Sequence, residues 1–401
     1  MSVYESVNTE IELAEDVGMK SAANWSAIFA MTLCAFALVS SEFMPVSLLT
    51  PMATSFGISE GFIGQGISIS GALAVITSLS IATLVGNINR RTLLLWLTAL
   101  MLVSGTIIAF APTYTIYMIG RAFIGIAIGG FWSLSVATAI RLVPSSEVPK
   151  ALSIFNGGSA LAMVIAAPMG SYLGDNIGWR GAFFAVVLVA VISFLWQWFS
   201  LPSMEKNQGK VVAKDMYRVI SKKTNAYGFL GAGLFFMGQF CLFTYIRPFL
   251  EYGANISGSQ LSFVLLLMGV MGFIGTIVIG SVIKLGLYRV LGVIPFGMAV
   301  IAALLVYTVD SQVSVTVLLG LWGLVATAAP VGWWAWLAKA MPEDSEIGGG
   351  LMVAIVQLSI GLGSTMGGLL FDTNSLQGTF CLAGAILLLS ASIVLRLSKL
   401  K

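Results

Sequence analysis

The chain has 401 residues, of which 58% are hydrophobic and 9% charged, with a formal net charge of +3. Soluble domains carry about 25% charged residues, so this composition excludes a water-soluble globular protein and makes the bilayer the solvent. It also excludes nucleic acid as a partner, since no basic run is interleaved with aromatics, and the absence of histidine leaves proton chemistry to carboxylates.

Taken in chain order, the first 23 residues are polar and acidic (Glu5, Glu10, Glu12, Glu15, Asp16) and lack the apolar core of a cleavable signal. Residues 1–24 are expected to form a short cytoplasmic tail. A membrane-spanning helix needs about 20 apolar residues. Windows of that kind follow at 25–49, 62–86, 92–111, 115–140, 151–173, 181–201, 227–246, 261–283, 290–309, 313–338, 347–371 and 378–395. Most connections are short and carry Pro112, Pro144, Gly174, Gly253 or Pro342. The one long connection, 202–226, divides a bundle at 25–201 from a second at 227–401. The fold class expected is an all-α membrane protein with twelve transmembrane helices in two pseudo-symmetric six-helix bundles.

With the N-terminus inside, 17 of the 20 Lys and Arg residues fall in cytoplasmic segments, the exceptions being Arg121, Arg180 and Arg247. The positive-inside rule therefore places both termini in the cytoplasm. The halves echo each other. Met169-Gly-Ser-Tyr-Leu-Gly-Asp175 ends the fifth window and Met366-Gly-Gly-Leu-Leu-Phe-Asp372 ends the eleventh; Arg141-Leu-Val-Pro144 leaves the fourth and Lys339-Ala-Met-Pro342 the tenth. Two matches in equivalent helices argue for duplicated halves that rock around a midplane site. Cys34, Cys241 and Cys381 each lie in an apolar stretch, with no disulfide or metal spacing, and read as small buried apolar residues.

Two ionisable residues sit well inside the spans, Glu42 in the first and Arg121 in the fourth. A charge in hydrocarbon costs at least about 2.5–3.5 kcal/mol, which marks each as a candidate functional group. Helix one runs outward and helix four inward, and both residues fall roughly 10 Å below the outer boundary at about 1.5 Å per residue. Two readings are open. Burial favours a neutral acid and a guanidinium favours the carboxylate, so Glu42 carries the coupling proton with Arg121 tuning it; or the two form a permanent ion pair between helices. Arg121, Gly125, Gly129 and Trp132 share one helix face. Gly125-x-x-x-Gly129 also suits close packing of a neighbouring helix.

These residues resemble the major facilitator superfamily, in its twelve-span drug:proton antiporter branch. Arg121-Ala-Phe-Ile-Gly125 is similar to the family's fourth-helix R-x-x-x-G motif, whose arginine is implicated in proton coupling. Ala167-Pro168-Met169-Gly170 resembles the fifth-helix G-P-x-x-G antiporter motif, with Ala167 in place of the first glycine and Gly170 one position early. Trp179-Arg180-Gly-Ala-Phe183 is similar to the stretch that opens the sixth helix. Arg90 and Arg91 match the conformational-switch loop, whose usual aspartate is Gly86 here. A longer set, including Glu42-Phe-Met-Pro45, Phe131-Trp132, Phe243-Thr-Tyr-Ile-Arg-Pro248 and Pro330-Val-Gly-Trp333, resembles the bacterial purine ribonucleoside efflux pumps.

The resemblance implies a proton-coupled antiporter of the inner membrane that exports inosine, guanosine and their analogues. No cofactor besides the coupling proton is expected, and the chain is expected to work as a monomer. The family lines its cavity with the first, fourth, seventh and tenth helices. The implied substrate site draws on Trp132, Gln239, Phe243, Tyr245, Trp334 and the neighbouring Trp333, with Asn156 and Gln357 from the fifth and eleventh. Aromatic faces suit a purine and carboxamides suit its edges. Trp25 and Trp336 read as interfacial anchors. Export of sugars or amphiphilic drugs is the alternative within the same fold. A membrane-embedded enzyme lacks a nucleophile–base or metal cluster, a channel lacks a filter, and no P-loop signature is present to use ATP.

Overall fold

The computed structural model describes residues 23–84, 88–204, 213–341, 344–373 and 376–399. Among these, eleven helical stretches are long and apolar enough to cross a bilayer. One of them, Lys150–Ser200, has 51 residues, more than twice the length a bilayer needs. It turns at Gly178, whose φ of 75° and ψ of 161° leave the helical region. That stretch is two spans, and the total is twelve.

The spans are α1 (Trp25–Phe56), α2 (Glu60–Leu84), α3 (Arg90–Ala109) and α4 (Tyr114–Arg141). The run Val148–Ser200 supplies α5 (148–177) and α6 (179–200). The second half contains α7 (Lys223–Phe243), α8 (Gly258–Val282), α9 (Leu287–Tyr307), α10 (Gln312–Ala326 continued by Ala329–Ala340), α11 (Ser345–Asp372) and α12 (Leu376–Lys399). Hydrocarbon offers backbone groups no hydrogen bonds, so each span closes its own as a helix. Their hydrophobic residues gather into two cores, one for each half.

Several expectations are corrected. Gly174 is not in a connection: it lies in α5, packed towards Leu48 of α1, and the chain turns four residues later. The backbone at Gly178 is open essentially to glycine alone. The segment 202–226 contains a short amphipathic helix, Ala213–Ser221, and α7 begins inside it at Lys223. Trp336 is no interfacial anchor. It is 1% exposed, fills the space left by Gly228 and meets Phe229 edge-on at 5.6 Å. Cys34 and Cys241 are buried, but Cys381 is exposed. Gly86, Pro342 and the tail 1–22 lie outside the described residues.

We call the end of the bundle that carries Trp25, Ser200 and Lys399 the terminal face, and the opposite end the distal face. The halves meet along two seams, α2 against α11 and α5 against α8, from the distal face to mid-depth. On the first seam Asp372 accepts from Ser59 Oγ at 2.8 Å and from the Gly61 amide at 3.1 Å. Deeper, Ser364 Oγ donates to Gly64 O at 2.9 Å and Ser68 Oγ to Gly361 O at 2.8 Å. On the second, Ser262 and Ser171 hydroxyls meet at 3.0 Å. The distal face is closed.

Gly178→Ala forces a side chain into that backbone region and is expected to cost about 1–3 kcal/mol. Gly297→Ala, in a helical position with open space around it, is expected to be neutral or slightly stabilising. Detergent melting temperatures of the two variants check this; equal values contradict the hinge role.

Candidate functional site

Two prolines interrupt α1, Pro45 and Pro51. Proline lacks the N–H that bonds the carbonyl four residues earlier, so Pro45 frees Ser41 O and Pro51 frees Ser47 O. An orphan carbonyl in hydrocarbon costs several kcal/mol. Each freed carbonyl is taken by a buried arginine. Arg121 Nη1 donates to Ser41 O at 2.9 Å, and Arg247 Nη1 donates to Ser47 O.

Arg121 is fully buried. Its other donors reach Gly66 O at 2.9 Å, Ser70 Oγ at 2.9 Å and the backbone carbonyl of Glu42 at 3.3 Å. It therefore ties α4 to α1 and α2. Glu42 and Arg121 are level, as counted along the helices, but the carboxyl and guanidinium form no salt bridge. The ion-pair reading is corrected: neutral oxygens satisfy the arginine. The two charges remain close enough to attract.

The carboxyl of Glu42 instead lies near Gln357 of α11, across the divide between the halves. Beside it, Phe43 stacks on Phe240 at 5.4 Å and meets Phe243 edge-on at 6.5 Å, both from α7. Gln239 and Gln357 are each 6% exposed, and the Oε1 atom of each is buried without a partner. Buried polar atoms are nearly always paired. Two orphan acceptors beside an aromatic cluster are a site that suits a flat ligand carrying N–H or O–H donors.

The structure brings Glu42, Arg121, Gln357, Gln239 and Phe243 to this central region. Tyr245 is not part of it. Its hydroxyl donates to Ser364 O at 2.9 Å, its ring stacks on Phe371 at 5.3 Å, and it wedges against Gly64 in the closed seam. Trp132 is half-buried on α4 against Phe155 at 5.9 Å and Phe131 at 6.1 Å. Asn156 is exposed on α5, its amide donating to Leu152 O at 2.9 Å. Trp334 is 46% exposed beside Gly349 of α11, and its neighbour Trp333 is buried against Gly231 of α7.

The motif residues act through packing. A side chain at Gly125 or Gly129 would overlap the Ser70 or Ala74 carbonyl, so this stripe seats α2 against α4. Gly170 is held against Ser47 and Met44 of α1. Pro168 frees Val164 O on α5, close to the passing Gly269 of α8. Arg91 Nη2 donates to Trp198 O at 2.7 Å, fastening the start of α3 to α6, and Arg90 is buried beside it in sequence.

Sequence reasoning missed the role of Arg247. Beyond Ser47 it pairs with Glu251 at 2.8 Å and with Asp175 at 3.3 Å. Since Ser47 and Asp175 belong to the first half, Arg247 fastens the distal face across the divide. The signal was available in Pro51, whose missing N–H marks Ser47 O as needing a donor. Near it, Tyr252 donates to Glu60 Oε1 at 2.9 Å across the same divide, and burial with that acceptor pushes the Tyr252 phenol up to about 12.

Comparison with known proteins agrees with this architecture. Residues 31–346 match the family described as Major Facilitator Superfamily. A Pseudomonas aeruginosa protein named "Transcription regulatory protein OpdE" is 53% identical over 95% of this chain and 96% of its own length. The "Purine ribonucleoside efflux pump NepI" of Salmonella enteritidis is 36% identical over 92% of this chain and 93% of its own. Among solved structures, the nucleoside transporter NupG superposes with a TM-score of 0.77 at 12% identity, covering 92% of this chain and 98% of its own. A D-xylose–proton symporter superposes with a TM-score of 0.76 at 14% identity, covering 93% and 97%.

Arg121→Met strands the oxygens that the guanidinium satisfies, at about 1–3 kcal/mol for each group left unpaired, and is expected to lower the melting temperature sharply. Because those oxygens are neutral, adding Glu42→Gln is expected to restore nothing. Recovery of the double variant to near wild-type stability would show that the ion pair, and not carbonyl capture, is what Arg121 serves.

Proposed function

The chain belongs to the major facilitator superfamily, and from that premise we propose that this transporter is a proton-coupled antiporter. It exports purine ribonucleosides, such as inosine and guanosine, and their analogues by alternating access. The observation that carries the reading is the central site. A deep carboxyl on one half lies near Gln357 of the other, with the orphan amide acceptors of Gln357 and Gln239 and the ring cluster of Phe43, Phe240 and Phe243. A purine offers a flat face for the rings and N–H groups for the acceptors, and the ribose adds hydroxyl donors. The 36% identical relative is named for the same cargo.

Glu42 takes the role of proton carrier and Arg121 that of a fixed positive neighbour. The terminal face is cytoplasmic in this reading, with both termini inside the bacterial inner membrane, so the closed distal face is periplasmic and the structure is inward-facing. Trp132, Asn156 and Trp334 lie towards the open side, where a substrate enters. The transporter acts as a monomer, with no cofactor besides the proton. The regulatory name of the 53% identical relative transfers no nucleic-acid surface to a chain that is 9% charged. An exporter also alters the internal level of whatever effector it removes.

Counterflow in proteoliposomes loaded with inosine, arabinose or a cationic dye tests the cargo: exchange is expected with inosine alone. Glu42→Gln removes the titrating group and is expected to abolish pH-driven uphill export while inosine exchange persists. Uphill export by Glu42→Gln at the wild-type rate, or dye exchange in place of inosine, would overturn the reading.

A further inference from the structure

The connection between the halves folds back on the second half as a linker helix, Ala213–Ser221. Met216, Val219 and Ile220, at spacings of three and four, turn one apolar stripe of it to the core. Val219 is fully buried, and its carbonyl accepts from the buried Asn225 Nδ2 of α7 at 2.9 Å. The linker helix is therefore fixed to α7, which begins directly after it at Lys223. A helix that abuts the first turn of a span lies at the depth of the lipid headgroups.

Its other face is basic. Arg218 Nη2 meets Asp344 Oδ1 at 3.0 Å, and Lys222 Nζ meets Asp344 Oδ2 at 3.7 Å. Asp344 is the N-cap of α11, where an aspartate ordinarily accepts from the amides of its own helix. It makes no such bond, and both oxygens go to the linker helix instead. The three groups are layered. The Asp344 side chain is 17% exposed, whereas those of Arg218 and Lys222 are 60% and 59% exposed. The acid lies beneath and the cations outside, beside Tyr217 and Lys223 in sequence, both of them exposed.

We propose that this face of the linker helix binds the phosphate of an anionic phospholipid in the adjoining leaflet. A guanidinium and an ammonium one helical turn apart hold one phosphate between them, and a tyrosine at headgroup level suits the boundary between chains and water. A phosphodiester without an amine answers the charge; a choline headgroup brings its own cation and answers it poorly. Asp344 is then an internal rival of the phosphate. It orders the two cations when no lipid is bound and weakens the lipid's hold by occupying them. The positive-inside rule accounts for basic residues on this face, but not for two cations that converge on one carboxylate. Because the linker helix packs on α7 and α11, a lipid held there is held by the second half. The proposal does not depend on the cargo.

The test is titration of the purified full chain in detergent with phosphatidylglycerol, the first bound lipid being followed by native mass spectrometry and by melting temperature. Wild type is expected to bind phosphatidylglycerol about tenfold more tightly than phosphatidylcholine. Arg218→Gln with Lys222→Gln is expected to lose that preference. Lys150→Gln with Lys399→Gln removes two exposed cations from elsewhere on the terminal face, and is expected to change the affinity less than about threefold. Asp344→Asn breaks the same two ion pairs yet is expected to tighten phosphatidylglycerol binding about fivefold; a purely structural role for those pairs gives the opposite sign. Where the Arg218 and Lys222 double variant does not fold, Asp344→Asn decides alone. Equal losses in the two double variants would reduce the effect to diffuse charge and overturn the proposal. Weaker lipid binding by folded Asp344→Asn would overturn it too, as would equal stabilisation of wild type by inorganic phosphate at the same concentration.

Discussion

A carbonyl released by proline in a membrane helix has no water to turn to. Helix α1 contains two such carbonyls, Ser41 O and Ser47 O, and both are held by arginines that come from elsewhere in the chain. The need to satisfy them explains why a membrane helix tolerates Pro45 and Pro51, and why two guanidiniums are buried where the positive-inside rule would not place them. It also sets the geometry of the centre. Arg121, pinned by α1 and α2 oxygens, leaves the Glu42 carboxyl to face the second half of the molecule, near Gln357.

The two grips differ in what they join. Arg121 binds only residues of its own half, so its hydrogen bonds survive any rigid rocking of one half against the other. Arg247 reaches from the second half to Ser47 and Asp175 in the first, so the same motion must break it. The internal repeat shows a second such fastening. Asp175 and Asp372 are equivalent residues at the distal ends of α5 and α11, and each binds across the divide, one to Arg247 and the other to Ser59 and the Gly61 amide. Equivalent packing recurs one turn deeper, where Gly170 meets α1 and Gly367 meets α7. A duplicated sequence has produced two latches around one centre.

Much of this was legible in the sequence because the bilayer imposes a length. Each of the twelve windows overlaps a span, and counting along α1 and α4 placed Glu42 and Arg121 level. What could not be read was direction around a helix. The level pair looked like an ion pair, yet the carbonyls exposed by Pro45 were nearer partners for the guanidinium. Tyr245 looked like a ligand-stacking ring and is instead a wedge in the α2–α11 seam, a role set by Gly64, which lies far away in the chain and outside any local pattern. Trp336 looked interfacial because a tryptophan near a helix end usually is, but Gly228 on α7 makes a slot for it. Gln239 and Gln357 were visible as polar residues in apolar helices; that each keeps an orphan oxygen appears only once the neighbours are in place.

Arg247 bridges the halves at the distal face through Ser47 of α1 and Asp175 of α5, and the export cycle proposed above requires the halves to part there. Electron–electron distance measurements between spin labels at Thr54 and Gln260, both exposed near the distal face, test it directly, with the exposed Cys381 replaced. Arg247→Gln is predicted to move the distance distribution towards longer separations, with the open population growing at the expense of the closed one. A distribution unchanged from that of the parent protein would contradict the account, since the latch would then carry none of the closure assigned to it.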